Sequence, residues 1–206
     1  MPEIIETREA WLEEATTHLR DDFRSAALRL PDDVRVSVGF PSKSAMSRRG
    51  RAVGQCWDGA AASDSVAQVY ISPLLDDPVD VLSVLVHELV HAAVGCVHGH
   101  KGPFKRGMQR IGLEGKPTAT IASTSLVTRL QRLARTIGAF PHARLTPTDQ
   151  HKKQTTRLLK VTCDPCAYVC RVTRKMLDEM GAPICPSCDA AMTEATGDAP
   201  RQPRDV

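Results

Sequence analysis

The chain has 206 residues, with 27 Lys+Arg against 24 Asp+Glu, a formal net charge of +3 and a hydrophobic fraction of 42%. That apolar content is enough for packed cores and argues against global disorder. Aromatics make up only 4%, which excludes a broad stacking platform for single-stranded nucleic acid. The small net charge conceals a segregation. Residues 1–100 hold 9 basic and 15 acidic side chains, residues 101–175 hold 16 and 3, and residues 176–206 hold 2 and 6, so the segments carry −6, +13 and −4.

The N-terminus, Met-Pro-Glu-Ile-Ile-Glu, lacks the basic region and apolar stretch of a secretory signal. The most apolar run, 81–97, contains His87, Glu88 and His91 and is too short and too polar to span a membrane. Five of the seven cysteines fall within 163–188, which favours metal thiolates over disulfides in a chain without an export signal. The expectation is a cytoplasmic protein with no membrane partner.

In chain order, Trp11, Ala15, Leu19, Phe23, Ala26 and Leu30 recur at spacings of three and four and predict a helix over 3–29. Val34, Val36 and Val38 alternate with polar residues and predict a strand over 34–40. The polar, basic segment 42–51 reads as a loop, and 53–57 and 66–72 as two further strands. Asp76-Asp77-Pro78 is a helix start and Gly95 suits the end of that helix. A turn over 99–103, a short helix over 104–111 and another over 125–137 follow. The fold class is α+β.

Within the long helix the chain reads His87-Glu88-Leu89-Val90-His91. Residues four apart on a helix are separated by about 400° of rotation and about 6 Å of rise, so both imidazoles leave one face and can share a metal ion. Glu88 lies about 100° round, beside the metal without being a ligand, where it can take a proton from a water that Zn²⁺ has acidified. From 81 to 97, Glu88 is the only acid and there is no Lys or Arg. A carboxylate in so apolar a helix is costly unless something compensates, and a metal centre does so.

A catalytic zinc takes three protein ligands. The metzincin spacing needs Gly at 94 and His at 97, where this chain has Val94 and Val97, and the first acid after Glu88 is Glu114. A nearby histidine is the expected third ligand, with His100 favoured and His98 still open.

A second constellation is Cys163-Asp164-Pro165-Cys166 followed, after 18 residues, by Cys185-Pro186-Ser187-Cys188. Two CxxC knuckles at this spacing predict a zinc ribbon with a closed, structural tetrathiolate site. Cys170 reads as a buried or spare thiol, and Cys56 and Cys96 as small core residues.

His87-Glu88-Leu89-Val90-His91 followed by His100-Lys101-Gly102-Pro103-Phe104 resembles the SprT-like/Spartan metalloprotease domain. The resemblance covers about 1–137, with the zinc module as a common C-terminal companion. It implies a zincin-like domain with a helix and a small three-stranded antiparallel sheet before the HExxH helix. It implies His87, His91 and His100 as zinc ligands, Glu88 as catalytic acid/base and Phe104 as the aromatic four residues after the third ligand. Lys101 departs from the family's His-Gly pair, and His98-Gly99 preserves it.

The expected organisation is a protease domain at 1–138, a basic linker at 139–157, a zinc ribbon at 158–195 and a disordered tail at 196–206. The expected cofactors are two Zn²⁺, one catalytic and one structural.

The basic segment puts Lys101, Lys105 and Arg106 beside the zinc, Arg129 and Arg132 on a helix, and Lys152 and Lys153 before the ribbon. DNA held through phosphate contacts is the expected partner. The resemblance points the same way, since Spartan-type proteases degrade proteins crosslinked to DNA. The expected function is a zinc endopeptidase acting on DNA-associated proteins. The alternatives are a non-enzymatic zinc-ribbon DNA-binding or transcription-associated protein, and a protease specific for one transcriptional repressor.

Overall fold

Trp11, Leu12, Ala15, Leu19 and Phe23 make one continuous apolar face, and all five are fully buried in a computed structural model that describes residues 5–47, 49–146 and 158–194. The chain divides at residue 147 into two compact units. Among the described residues there are five α-helices and three small sheets, a mixed α/β architecture. No helix among them is long and apolar enough to cross a membrane.

In the first unit, helix α1 spans Arg8–Ser25, and the Thr7 side chain caps it by accepting from the Ala10 N–H. It ends earlier than the predicted 29. Ala27 turns at φ +53°, and the Arg20 guanidinium holds the return by donating to the carbonyls of Pro31 and Asp32. Strands β1 (Val34–Val38), β2 (Gly54–Trp57) and β3 (Ala67–Ile71) follow.

Their sheet is not the antiparallel one expected. Its order is β1-β3-β2, with β1 parallel to β3 and only β2 antiparallel to it. The physical reason is burial. Ala67, Val69 and Ile71 are all buried, so β3 takes the central position. The parallel neighbours β1 and β3 are joined by the long crossover from 39 to 66, which includes β2. The less buried β2 is left on the edge.

Helix α2 spans Pro78–Val94. The Asp77 side chain accepts from the N–H groups of Val79 and Asp80, Pro78 occupies the first turn, and Gly95 ends the helix at φ +91°. Packed on the sheet, on α1 and on the two helices that follow, α2 buries Val81, Leu82, Leu85, Val86, Leu89 and Val90. A short 3-10 turn at Cys96–His98 leads to α3 (Gly102–Ile111).

A hairpin of β4 (Leu113–Lys116) and β5 (Ala119–Ala122) comes next. Sequence alternation there is too weak to announce it. Helix α4 (Thr124–Ile137) then buries Leu126, Leu130, Leu133 and Ile137.

Residues 139–146, expected to begin the linker, are instead strapped onto this unit. Phe140 is buried edge-on against Trp11 at 5.0 Å between ring centroids. Arg8 donates to the carbonyls of Pro141, His142 and Ala143, and the Leu145 N–H donates to Pro73 O at 2.8 Å. Lys152, Lys153 and the expected tail at 196–206 lie outside the described residues.

The second unit contains β6 (Leu159–Thr162), β7 (Val169–Val172), helix α5 (Arg174–Met180) and β8 (Thr193–Glu194), with sheet order β7-β6-β8. Its apolar core is four buried side chains, Val161, Cys163, Cys185 and Met192. So small a core does not stabilise a fold without a further crosslink such as a metal.

Because α2 is the centre of the first unit, truncating its fully buried Leu89 to alanine is expected to destabilise that unit by about 3 kcal/mol. Urea unfolding of the purified variant, followed by the fluorescence of Trp11 and Trp57, measures it.

Candidate metal centres and active site

The HExxH spacing behaves on α2 as helical geometry requires. His87 and His91 project from one face, one turn apart, and the turn after Gly95 brings His100 back against them. His87 Nε2 and His91 Nε2 each lie 3.2 Å from His100 Nε2. A tetrahedral ion with bonds of about 2.0–2.1 Å needs its nitrogen ligands about 3.3 Å apart, so this donor set fits such an ion. His87, His91 and His100 form one of two groups among the described residues able to hold a metal. His98 belongs to neither.

Two contacts orient the rings. His87 Nδ1 lies 2.8 Å from Thr120 Oγ1 on β5, so with Nδ1–H donating to the hydroxyl, the Nε2 lone pair faces the shared centre. Phe104, fully buried at the start of α3, stacks on His91 at 4.1 Å and 25° and touches the other two rings. Burial, helped by the neighbouring imidazoles, holds His87 down at about 4 and His91 at about 3. Burial also lowers His100. The three rings are therefore neutral and ready to ligate at ordinary pH.

Glu88 is 6% exposed and is outside the histidine group. Burial pushes its carboxyl up to about 8, Cys96 adds to the rise, and the Cys56 backbone N–H works against it. A divalent cation beside it favours the carboxylate instead.

Edge strand β2 passes directly over this side chain. A Cβ on Gly54 would stand 2.5 Å from Glu88 Oε1 and 2.7 Å from Val84 Cγ1, so only glycine lets the strand approach so closely. The histidines and Glu88 form the floor of a cleft of about 510 Å³. One wall is the 51–56 segment of β2 and the residues before it, and the other is Thr118–Thr120 of the hairpin.

Sequence reasoning missed Thr120 and Gly54. Thr120 lies 33 residues from its partner on an unpredicted hairpin, and nothing in the sequence marks it. Gly54 did carry a signal, since a glycine inside a strand marks close approach of another group. Cys56 packs against the core as expected, but neither it nor Cys96 is fully enclosed there. Both are half-buried and line the cleft.

In the second unit, Cys163, Cys166, Cys185 and Cys188 form the other metal-competent group, with all four sulfurs within 4.8 Å of one another. The two knuckles repeat one backbone pattern. Ala167 N–H donates to Cys163 O and Asp189 N–H to Cys185 O. Ala167 and Asp189 both sit in the left-handed region, at φ +57° and +52°. Cys170 is outside the group and packs 4.0 Å from Met192 Sδ.

Of the predicted phosphate contacts, Lys101, Lys105, Arg106 and Arg132 are exposed. Arg129 is half-buried and donates to Asp22 at 3.1 Å, tying α4 to α1.

No family model, no curated protein and no solved structure matches this chain.

Two outcomes test the histidine centre. His100→Ala is expected to lower bound metal by one ion per chain, while His98→Ala leaves the count unchanged, as read by elemental analysis of the dialysed protein. In metal-free protein, an unfolded imidazole takes its proton near 6.5, but folded His87 does so only near 4 and His91 near 3. The two unfolded imidazoles then bind more protons below pH 6.5, so the contribution of these rings is full above it and falls with pH down to about 4 and below, opposed in part by Glu88, whose folded carboxyl keeps its proton up to about 8. The urea midpoint of the chelated protein at pH 7 against pH 5 measures this loss.

Proposed function

We propose that this protein is a zinc-dependent endopeptidase of SprT-like type, with a zincin-like catalytic unit and a zinc ribbon, acting on DNA-associated proteins. The observation that carries the reading is Glu88. A non-ligand carboxylate, buried and facing a cleft, adjoins three imidazoles whose nitrogens converge at metal-ligand spacing. A purely structural metal site has no use for that group.

His87, His91 and His100 would hold the zinc, which supplies Lewis-acid polarisation of a carbonyl and a lowered water pKa. Glu88 takes the proton of the attacking water and delivers it to the leaving amide nitrogen. Thr120 fixes the tautomer of His87, and Phe104 fixes the ring plane of His91. A peptide reaches this floor alongside β2, whose outer edge carries no strand among the described residues. An extended chain can pair with such an edge irrespective of its side chains, which suits a protease of broad specificity.

The ribbon cysteines Cys163, Cys166, Cys185 and Cys188 would hold the second, structural zinc. DNA as the partner is supported by the exposed Lys101, Lys105 and Arg106, which follow the third histidine, and by the +13 charge of residues 101–175. Contacts of this kind go to phosphates and weaken steeply with salt.

The test is cleavage of a DNA-binding protein with and without DNA, with Glu88→Gln alongside. The expected result is DNA-stimulated cleavage by the wild type and a roughly 10²–10⁴-fold loss in the variant. Absence of cleavage in a wild-type protein that retains both metal ions and binds DNA would refute the protease and leave the non-enzymatic DNA-binding protein.

A further inference from the structure

Cys56 and Cys96 lie 40 residues apart in the chain and meet in the cleft wall with their sulfurs 3.3 Å apart. Cys96 Sγ is also 3.6 Å from the Cys56 carbonyl oxygen. Neither belongs to the histidine group or to the four-cysteine group. Cys56 stands on the edge strand β2, two residues beyond the glycine that rides over Glu88. Cys96 opens the turn that returns His100 to α2.

The backbones that carry the two thiols are themselves held together. Asp58, just after β2, caps the short turn that follows it, and its Oδ2 also accepts from the Cys96 N–H at 3.4 Å. Both cysteines are half-buried and line the cleft, so a small solute reaches them through the same opening that leads to Glu88.

We propose that Cys56 and Cys96 form a two-electron redox site, oxidised by a hydroperoxide to a disulfide that ties the edge strand of the cleft to the turn carrying His100. With hydrogen peroxide, the sulfur of one cysteine attacks an oxygen, the O–O bond breaks, and a sulfenic acid and one water result. The other sulfur attacks the sulfenic sulfur, the S–O bond breaks, the S–S bond forms, and the hydroxyl leaves as a second water with the remaining thiol proton. The two thiols lose two electrons and two protons, and one peroxide becomes two waters. A dithiol reductant reverses the change by exchange.

The geometry is close to the product. A disulfide places its sulfurs about 2.05 Å apart, so they need to approach by about 1.2 Å. The bond closes a long loop containing all of β3 and α2, and a loop of that length makes the crosslink strongly stabilising. The ribbon thiols differ in kind, because all four converge on one another as a set able to hold a single ion, whereas Cys56 and Cys96 meet only as a pair.

The experiment treats the full-length, metal-loaded protein with equimolar hydrogen peroxide, alkylates it and maps the peptides. Expected are a Cys56–Cys96 linked pair two hydrogens lighter than the free peptides, two fewer alkylated thiols per chain and a Tm about 10 °C higher. Dithiothreitol is expected to reverse all three.

Cys56→Ser and Cys96→Ser should each abolish the linked pair and the rise in Tm. Their Tm before oxidation shows that they fold. Both thiols remaining alkylatable would overturn the proposal, as would linkage of either to a ribbon cysteine or a crosslink that leaves Tm unmoved. None of these readouts depends on peptidase activity.

Discussion

The first unit depends on one constraint, the burial of α2. Its apolar residues reach the sheet on one side and the α3 and α4 helices on the others, so the helix cannot shift without opening the core. His87, Glu88 and His91 are carried on that fixed frame. A buried carboxylate and three converging imidazole lone pairs are unfavourable by themselves, and the hydrophobic burial around them holds them in place. The cost is recovered when a cation sits among the nitrogens. Stability and the presentation of possible metal ligands are in this sense opposed within a single helix.

Three backbone devices complete the site around the helix. Gly95, at positive φ, ends α2 so that the following turn can fold His100 back onto the face that His87 and His91 share. Gly54 lets β2 run against Glu88, so the cleft has a strand edge for a wall. The β4–β5 hairpin brings Thr120 to His87. Each device comes from a different part of the chain, and each acts on one member of the HExxH motif or on its third partner.

The second unit solves its stability problem differently. With four buried side chains in its core, it draws on the two knuckles. Their matching carbonyl hydrogen bonds and left-handed residues at Ala167 and Asp189 present the four sulfurs at metal-ligand spacing. The second unit is thus organised by local backbone geometry repeated twice, where the first unit is organised by long-range packing.

That difference explains what was legible in the sequence. The helix positions of His87, Glu88 and His91, the capping of α2 by Asp77, and the pairing of the CxxC knuckles follow from local spacing, and the sequence by itself determined them. The strand order β1-β3-β2 was not legible, because which strand is central depends on total burial across the sheet. Strapping of 139–146 onto α1 was not legible either, since it rests on Arg8 and Trp11 more than 125 residues away. The choice of His100 over His98 within the histidine cluster, the contact of Thr120 with His87, the passage of Gly54 over Glu88 and the meeting of Cys56 with Cys96 were decided only by the tertiary structure. Each joins segments whose local sequence carries no record of the other, and only packing of the whole unit brings them within a few ångströms.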